Sequence, residues 1–410
     1  MSIYEELGVR TIINAKGPST RLSGGVLDDD VARAMVEASR HCVDIAELQA
    51  AAGRVIAEIT GSEAGYVTSG AAAGLLLGAA ACVTGLDPGK MNRLPDTTGM
   101  KDEIVMVRSQ RNFYDHAVRG AGVRIMEVGL PDRFAGAGVR DAEGWEIDQA
   151  IGERTAAVFY VASASARPPL AEVVKIARAR GVPVLVDAAG QLPPADNLRR
   201  FVALGADLVA FSGGKAIGGP QASGFLAGRR DLIAAAALQH LDVDFPWELW
   251  CPPSDLIDKS LLPGAPHHGI GRPCKVGKEE IVGLVVALRR FAAADPEERR
   301  GRWLALARAL VAELDGIPGT SVRLLADRPW REIPQVELAL EPEARGTALA
   351  LMQELEAGSP PVFADPARLD EQVVVLGTSC LRESDPPLIA ARIRDFLGGR
   401  RGSLPVSVRS

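Results

Sequence analysis

The chain has 410 residues, 47% hydrophobic and 24% charged, with a net charge of −6, which supports a large core and two domains and argues against a general nucleic-acid binder. No early segment joins a basic start, an apolar run and a small-residue cleavage site, and the apolar stretch Ala71–Val83 is short and glycine-interrupted, so neither a signal peptide nor a membrane span is expected. The five cysteines, at 42, 82, 251, 274 and 380, form no CxxC pair; no zinc site or disulfide framework is expected, and a reducing cytoplasm fits.

Ile12–Ala15 reads as a short strand. Lys16–Arg21 follows as a loop with two positive charges, either a solvated turn or a loop closing over an anionic substrate. Asp28–Thr60 reads as helical. Asp28, Asp29 and Asp30 offer an N-cap and favourable first-turn charge. Ile45, Leu48, Ala52, Val55, Ile56 and Ile59 form one stripe, and Gly61 stops the helix. Tyr66–Thr68 is then a strand, Ser69-Gly70 a turn, and Ala71–Val83 a helix of small residues. A strand, a Ser-Gly turn and a helix N-terminus can hold an anion, because free N–H groups and the positive dipole end face the turn. An ordinary βα unit packed through alanine and glycine reads the same way.

Leu86–Asp102 reads as a loop and Ile104–Val107 as a strand. The polar and aromatic stretch Arg108–His116 follows that strand end, where α/β proteins place ligands. His116 is there either a ring-stacking group or a helix residue with a satisfied ring nitrogen. A helix starts over Ala117–Ala121, Arg124–Val128 is a strand, and residues 130–145 form a glycine-rich loop. Ala156–Ala162 is a buried strand, Leu170–Arg180 an amphipathic helix closed by Gly181, and Val182–Val186 a strand ending at Asp187. This alternation argues for an α/β fold with a parallel sheet covered on both faces. Asp187 can meet a cationic ring nitrogen at the strand end, or cap the next turn.

Leu208–Phe211 is another strand. It runs into Ser212-Gly213-Gly214, a single lysine, Lys215, and Gly218-Gly219. The glycines let the backbone turn and let a bulky group lie close. A lysine amine with a lowered pKa forms a Schiff base with an aldehyde, although most lysines are solvated surface residues. A helix (Asp231–Leu241) and an aromatic loop (Phe245–Trp250) follow. In the loop His267–Lys275, Arg272 and Lys275 are candidates to clamp a carboxylate or phosphate. Glu279–Ala294 is a long helix, and residues 295–400 alternate helix and strand as a smaller α+β domain.

Pyridoxal phosphate needs a phosphate cradle, an acid facing its ring nitrogen and a lysine for its aldehyde. Ser69–Ala72, Asp187 and Lys215 offer these in order, and Ser212 can add a hydroxyl to the phosphate. With these residues the chain resembles the fold-type I pyridoxal-phosphate enzymes. Within them it resembles the group of selenocysteine synthase and D-glucosaminate-6-phosphate ammonia lyase. The resemblance is carried by TIINAKGPSTRLSGG, EITGSEAGYVTSGAAAGLLLGAAACVTG, VDAAGQLPP, FSGGKAIGGPQASGFLAGR and HHGIGRPCKVGKEEI, from about residue 7 to 290.

The resemblance implies a mostly parallel seven-stranded sheet in a large domain and a smaller α+β C-terminal domain. The expected division is an N-terminal segment at 1–60 packing on the large domain, a cofactor-binding domain at 61–275 and a small domain at 276–410. It implies that Lys215 holds the cofactor aldehyde and Asp187 its ring nitrogen. Ser69, Gly70, Ala71 and Ala72 would hold the phosphate with Ser212, His116 would stack on the ring, and Gln191 would approach the ring hydroxyl. Arg21, Arg272 and Lys275 are candidates for the substrate's carboxylate or phosphate.

The expected activity is a pyridoxal-phosphate-dependent lyase. It removes a β-substituent, water, from a small amino acid or amino-sugar acid to give a 2-oxo acid and ammonia. A racemase or transaminase would use the same cofactor residues. A selenium or aminoacyl-tRNA transferase is a further alternative, disfavoured by the acidic charge and by family blocks that begin near residue 7. Gly17-Pro18-Ser19-Thr20 stands where ammonia-lyase relatives usually carry a Gly-Thr-Met-Thr type loop, so the substrate stays open. A cytoplasmic homodimer or higher homo-oligomer acting on a small molecule, without metal, membrane or nucleic acid, completes the expectation.

Overall fold

The structure is a computed structural model that describes residues 2–130, 141–326 and 333–399. Most of the glycine-rich loop expected at 130–145 lies outside these residues, and Gly144–Ala150 at its end is a helix. Two compact units divide the chain: residues 1–26 with 294–410, and residues 27–293. This differs from the division expected at 1–60, 61–275 and 276–410. Helices Asp29–Ser39 and Ile45–Thr60 pack with the helix Lys278–Ala293, and Arg290 pairs with Asp28 and Asp30. All three helices therefore belong to the larger unit. Their ends follow local rules: Asp28 and Asp44 accept first-turn N–H groups, and Gly61 closes its helix at φ 71°.

A short strand, β1 (Ile13–Asn14), belongs to the smaller unit. The larger unit is built on β2 (Ala64–Thr68), β3 (Glu103–Val107), β4 (Arg124–Val128), β5 (Thr155–Val161), β6 (Val184–Asp187), β7 (Leu208–Ser212) and β8 (Gly224–Gly228). Their spatial order is β2-β8-β7-β6-β5-β3-β4. β3 to β7 run parallel, and β8 runs antiparallel to both of its neighbours, β7 and β2. The carboxyl ends of β2, β3, β5, β6 and β7 thus share one edge. β8 is not among the expected strands. Its five residues begin and end with glycine, and they become a strand by filling the slot between β7 and β2.

Side chains alternate across the sheet. Tyr66, Met106, Phe159, Leu185, Leu208 and Leu226 pack on one face, and Val67, Val105, Val158, Val186, Val209 and Phe225 on the other. Parallel strands need both faces covered, and each large apolar side chain so buried contributes roughly 1.5–3 kcal/mol. The helix Ala71–Thr84 covers the first face. It lies so near that a methyl added at Gly78 would stand 2.9 Å from Leu185 Cδ1.

The smaller unit carries β9 (Thr320–Leu325), β10 (Gln335–Leu340), β11 (Val362–Phe363) and β12 (Val373–Gly377). β12, β10 and β9 form an antiparallel sheet, against which the helix Pro296–Leu314 packs. β1 pairs in parallel with β11, which draws residues 1–26 into this unit. The buried Asn14 side chain donates to the carbonyls of Gly17 and Gly24 and accepts from the N–H groups of Lys16 and Gly17. It thereby folds back the loop that carries Lys16 and Arg21. Among the described residues no helix is long and apolar enough to cross a membrane.

Candidate active site

The carboxyl edge of the large sheet gathers the expected residues. Register puts Thr68, Gly224 and Ser212 in one row across β2, β8 and β7. Asp187 ends β6 opposite Ala210 of β7. By alternation Thr68, Asp187 and Ser212 fall on the face that the helix Ala71–Thr84 covers. After Thr68 the chain turns through Ser69 and Gly70. Gly70 has φ 131°, a conformation that favours glycine, and its carbonyl accepts from Thr68 Oγ1 at 2.8 Å. The helix begins at Ala71 without a side-chain cap, so its first N–H groups and the positive dipole end face the turn. Gly224 sits behind this turn. A methyl there would stand 2.6 Å from the Gly70 carbonyl carbon and 2.7 Å from the Ala71 nitrogen. Backbone pressed on backbone sets where the N–H groups point. The Ser212 hydroxyl, in the same row, has no hydrogen-bond partner among the described residues.

Lys215 stands in the loop between β7 and β8. Gly213 and Gly214 let the returning limb run against it: added methyls would lie 2.3 Å from Ser223 Oγ and 2.7 Å from Gln221 Cα. The Gly213 N–H donates to the Ser223 carbonyl and the Gly219 N–H to the Gly213 carbonyl, both at 2.9 Å. Ser223 Oγ donates to the Pro220 carbonyl at 2.6 Å. Lys215 is open to solvent on one side and crowded by protein on the others. That crowding holds its amine below the usual lysine range, while the Asp187 carboxylate pulls the other way.

Asp187 is 8% exposed. Burial raises its carboxyl above the usual range, opposed by the Ala189 N–H, 3.0 Å from Oδ1, and by Lys215. Oδ2 has no hydrogen-bond partner among the described residues. A buried carboxylate with one oxygen to spare suits a cationic N–H donor. The donor set of acid, amine and N–H cradle therefore fits pyridoxal phosphate.

The other expected residues stand as follows. The Gln191 N–H donates to the Ala188 carbonyl, and the Gln191 carbonyl accepts from Asn197 Nδ2 at 2.7 Å. This leaves the Gln191 side chain without a described partner. His116 is exposed on the first turn of the helix Asp115–Gly120. Lys275 is exposed and makes no ion pair among the described residues. Arg21 belongs to the smaller unit, where it pairs with Glu356 at 3.6 Å and lies 5.1 Å over the Phe363 ring.

Two residues depart from their expected state. Arg272 is not an open anion clamp: its guanidinium donates to the His240 carbonyl and pairs with Asp242, both at 3.1 Å. The Ser69 hydroxyl commits its proton to the Cys274 carbonyl, to which it donates at 2.8 Å.

Sequence reasoning passes over Tyr66 and His240. His240 is 3% exposed, with Nδ1 2.8 Å from the Tyr66 hydroxyl and Nε2 2.9 Å from the Cys274 carbonyl. A carbonyl can only accept, so Nε2 carries the proton and Nδ1 accepts from Tyr66. Burial pushes the imidazole below its ordinary range and keeps the Tyr66 hydroxyl protonated. The available signal is a lone histidine ending an alanine-rich apolar helix. Such a residue needs a buried partner, but nothing local names it.

The family model for L-seryl-tRNA selenium transferase matches residues 20–243. The chain is 36% identical over 405 residues to a 5'-C-glycyluridine monooxygenase-decarboxylase of a Streptomyces species, covering 96% of this chain and 92% of that one. It is 31% identical over 404 residues to a D-glucosaminate-6-phosphate ammonia lyase of Salmonella typhimurium, covering 96% and 98%. A solved structure of D-glucosaminate-6-phosphate ammonia-lyase matches with a TM-score of 0.79 at 30% identity, over 97% of this chain and 99% of that one. Serine palmitoyltransferase of S. paucimobilis with bound PLP, at 14% identity and a TM-score of 0.53 over 94% and 87% of the two chains, shares the fold alone. The architecture is that of fold-type I pyridoxal-phosphate enzymes. With a family model matching more than half of its length and full-length relatives above 30% identity, the chain belongs to the L-seryl-tRNA selenium transferase family.

Proposed function

We propose that this chain is a pyridoxal-phosphate-dependent carbon–nitrogen lyase. It removes water across the α- and β-carbons of an amino-sugar acid or another small amino acid, and leaves a 2-oxo acid and ammonia. The observation that carries this reading is Asp187 and Lys215 at one sheet edge with the N–H cradle at Gly70–Ala72. They occur in a chain that matches an ammonia lyase over 96% of its length.

When bound, the cofactor supplies an electron sink for the pair left at the substrate α-carbon. Asp187 would hold the ring nitrogen and keep its proton in place. Lys215 Nζ takes the α-proton and returns a proton to the departing β-hydroxyl; its depressed pKa raises the share of neutral amine at working pH. The water that leaves is balanced by one consumed as ammonia departs. The backbone N–H groups of Ala71 and Ala72, with Ser212, hold the phosphate. Lys275 would meet the substrate's anionic groups, His116 would stack on the cofactor ring and Gln191 would approach its hydroxyl. The enzyme works in the cytoplasm, where its five free cysteines stay reduced. It works as a homodimer, to which the exposed Phe113, Tyr114, Phe245 and Leu249 offer apolar surface.

A second reading is favoured by the 36% identity to a monooxygenase-decarboxylase: the same residues would serve an oxygen-consuming loss of carbon dioxide from 5'-C-glycyluridine. The test incubates cofactor-loaded protein with D-glucosaminate 6-phosphate and a panel of D- and L-β-hydroxy amino acids, without an oxo-acid acceptor. Equal release of ammonia and 2-oxo acid, lost in Lys215→Ala, supports the lyase. Oxygen uptake with carbon dioxide release from 5'-C-glycyluridine, and silence on the panel, supports the second reading. Turnover that needs an acceptor points to a transaminase, and α-carbon inversion alone to a racemase. A tRNA gel shift at moderate salt points to the transferase.

A further inference from the structure

The Cys274 carbonyl accepts two side-chain hydrogen bonds, from Ser69 and from His240. Ser69 Oγ reaches it at 2.8 Å from the turn that opens the cradle. His240 Nε2 reaches it at 2.9 Å from beyond the end of the helix Arg230–Leu238. The imidazole is held by the Tyr66 hydroxyl at 2.8 Å, and Tyr66 lies on β2, three residues before Ser69. The same turn is closed by the Cys274 N–H on the Gly271 carbonyl and by the Gly271 N–H on the Gln239 carbonyl, both at 2.9 Å. Arg272 adds its bond to the His240 carbonyl. One peptide oxygen thus joins the strand that feeds the cradle, the helix end at His240 and the turn that carries Lys275.

This joint has a consequence for Ser69. A hydroxyl has one proton. At Ser69 that proton goes to the Cys274 carbonyl, so only lone pairs remain toward the cradle, and a phosphate dianion also offers only lone pairs. The Ser212 hydroxyl has no such commitment among the described residues.

We propose, on the footing of the pyridoxal-phosphate reading above, that His240 is a positioning residue: it fixes the Cys274 carbonyl so that the Lys275 turn is registered on the cradle, and Ser69 braces that joint instead of binding the cofactor phosphate. Ser212 and the backbone N–H groups at Ala71 and Ala72 hold the phosphate.

The experiment combines a pyridoxal-phosphate titration, followed by absorbance and by competition with inorganic phosphate, with amide hydrogen exchange of residues 271, 272 and 274. Wild-type protein that binds no cofactor sinks the parent reading; the joint is then judged by exchange alone. In Ser69→Ala, cofactor and phosphate affinity stay within about twofold of wild type while exchange in the turn rises severalfold. In Ser212→Ala, affinity falls tenfold or more and exchange is unchanged. His240→Phe raises exchange about tenfold and weakens the cofactor. His240→Gln, whose amide N–H can replace Nε2–H, restores both. Loss of affinity in Ser69→Ala as large as in Ser212→Ala, with exchange unchanged, overturns the assignment of Ser69. Unchanged exchange in His240→Phe overturns that of His240. If His240→Phe does not fold, Tyr66→Phe replaces it: raised exchange supports the joint and unchanged exchange overturns it.

Discussion

Gly224→Ala tests how the anion cradle is held. Gly224 lies on β8 in register with Thr68 and Ser212. A β-carbon there would stand 2.6 Å from the Gly70 carbonyl carbon, 2.7 Å from the Ala71 nitrogen and 2.7 Å from the Phe211 carbonyl oxygen. All three are backbone atoms, so no side chain can swing aside. To reach ordinary contact, near 3.5 Å, the turn or the strand must retreat by roughly 1 Å. Overpacking of this kind costs about 1–3 kcal/mol, and two rigid backbones put it at the upper end, ~3 kcal/mol. For a unit of this size that lowers Tm by about 6 °C. The same displacement misdirects the Ala71 and Ala72 N–H groups. Losing one charge-assisted hydrogen bond, about 1.5–3 kcal/mol, weakens cofactor binding by roughly 10- to 100-fold. The assay pairs calorimetry with a pyridoxal-phosphate titration, and Gly152→Ala, with nothing within 4 Å of its added methyl, serves as control. A Gly224→Ala protein that melts with wild type and binds cofactor within twofold refutes the claim that β8 positions the turn.

Three further outcomes follow from the same geometry. Lys215→Ala loses turnover by at least about 10²–10⁴-fold and loses the lysine-dependent absorbance band, while cofactor still binds through the cradle, as equilibrium dialysis would measure. Asp187→Asn removes a buried charge, so the cofactor-free protein gains about 1 kcal/mol at neutral pH. Because burial raises the Asp187 pKa in the fold, its contribution is favourable in acid and is lost as pH rises through that raised pKa. The gain in the variant therefore appears over the same interval and vanishes at low pH in denaturant titrations. The same substitution lowers turnover of the loaded enzyme. Asp115 is 2% exposed and accepts from Arg111 and from Arg119. Burial alone would raise its carboxyl, but the two arginines outweigh it and hold the pKa down. Asp115→Ala costs about 1–2 kcal/mol, because the arginines it leaves behind are partly solvated, and the wild-type advantage fades as pH falls through the depressed pKa, which acid melts would show.

The sequence by itself determined whatever follows from near neighbours. Asp28 announces its helix, Gly61 ends the next, and the continuous apolar run Ala156–Ala162 declares a strand with both faces buried. The Ser69–Ala72 turn, Asp187 and Lys215 are legible because each marks a strand end. Only tertiary structure decided that they share one edge, through the order β2-β8-β7-β6. It made a strand of Gly224–Gly228, whose short glycine-bounded run has no period of its own, and gave residues 1–26 to the smaller unit through β1 and β11. It turned the Ser69 proton to a carbonyl 205 residues away and the Arg272 guanidinium to Asp242. A hydroxyl or guanidinium bonds whichever acceptor packing brings within about 3 Å. That choice is made by long-range contacts, and it leaves no mark in the flanking sequence.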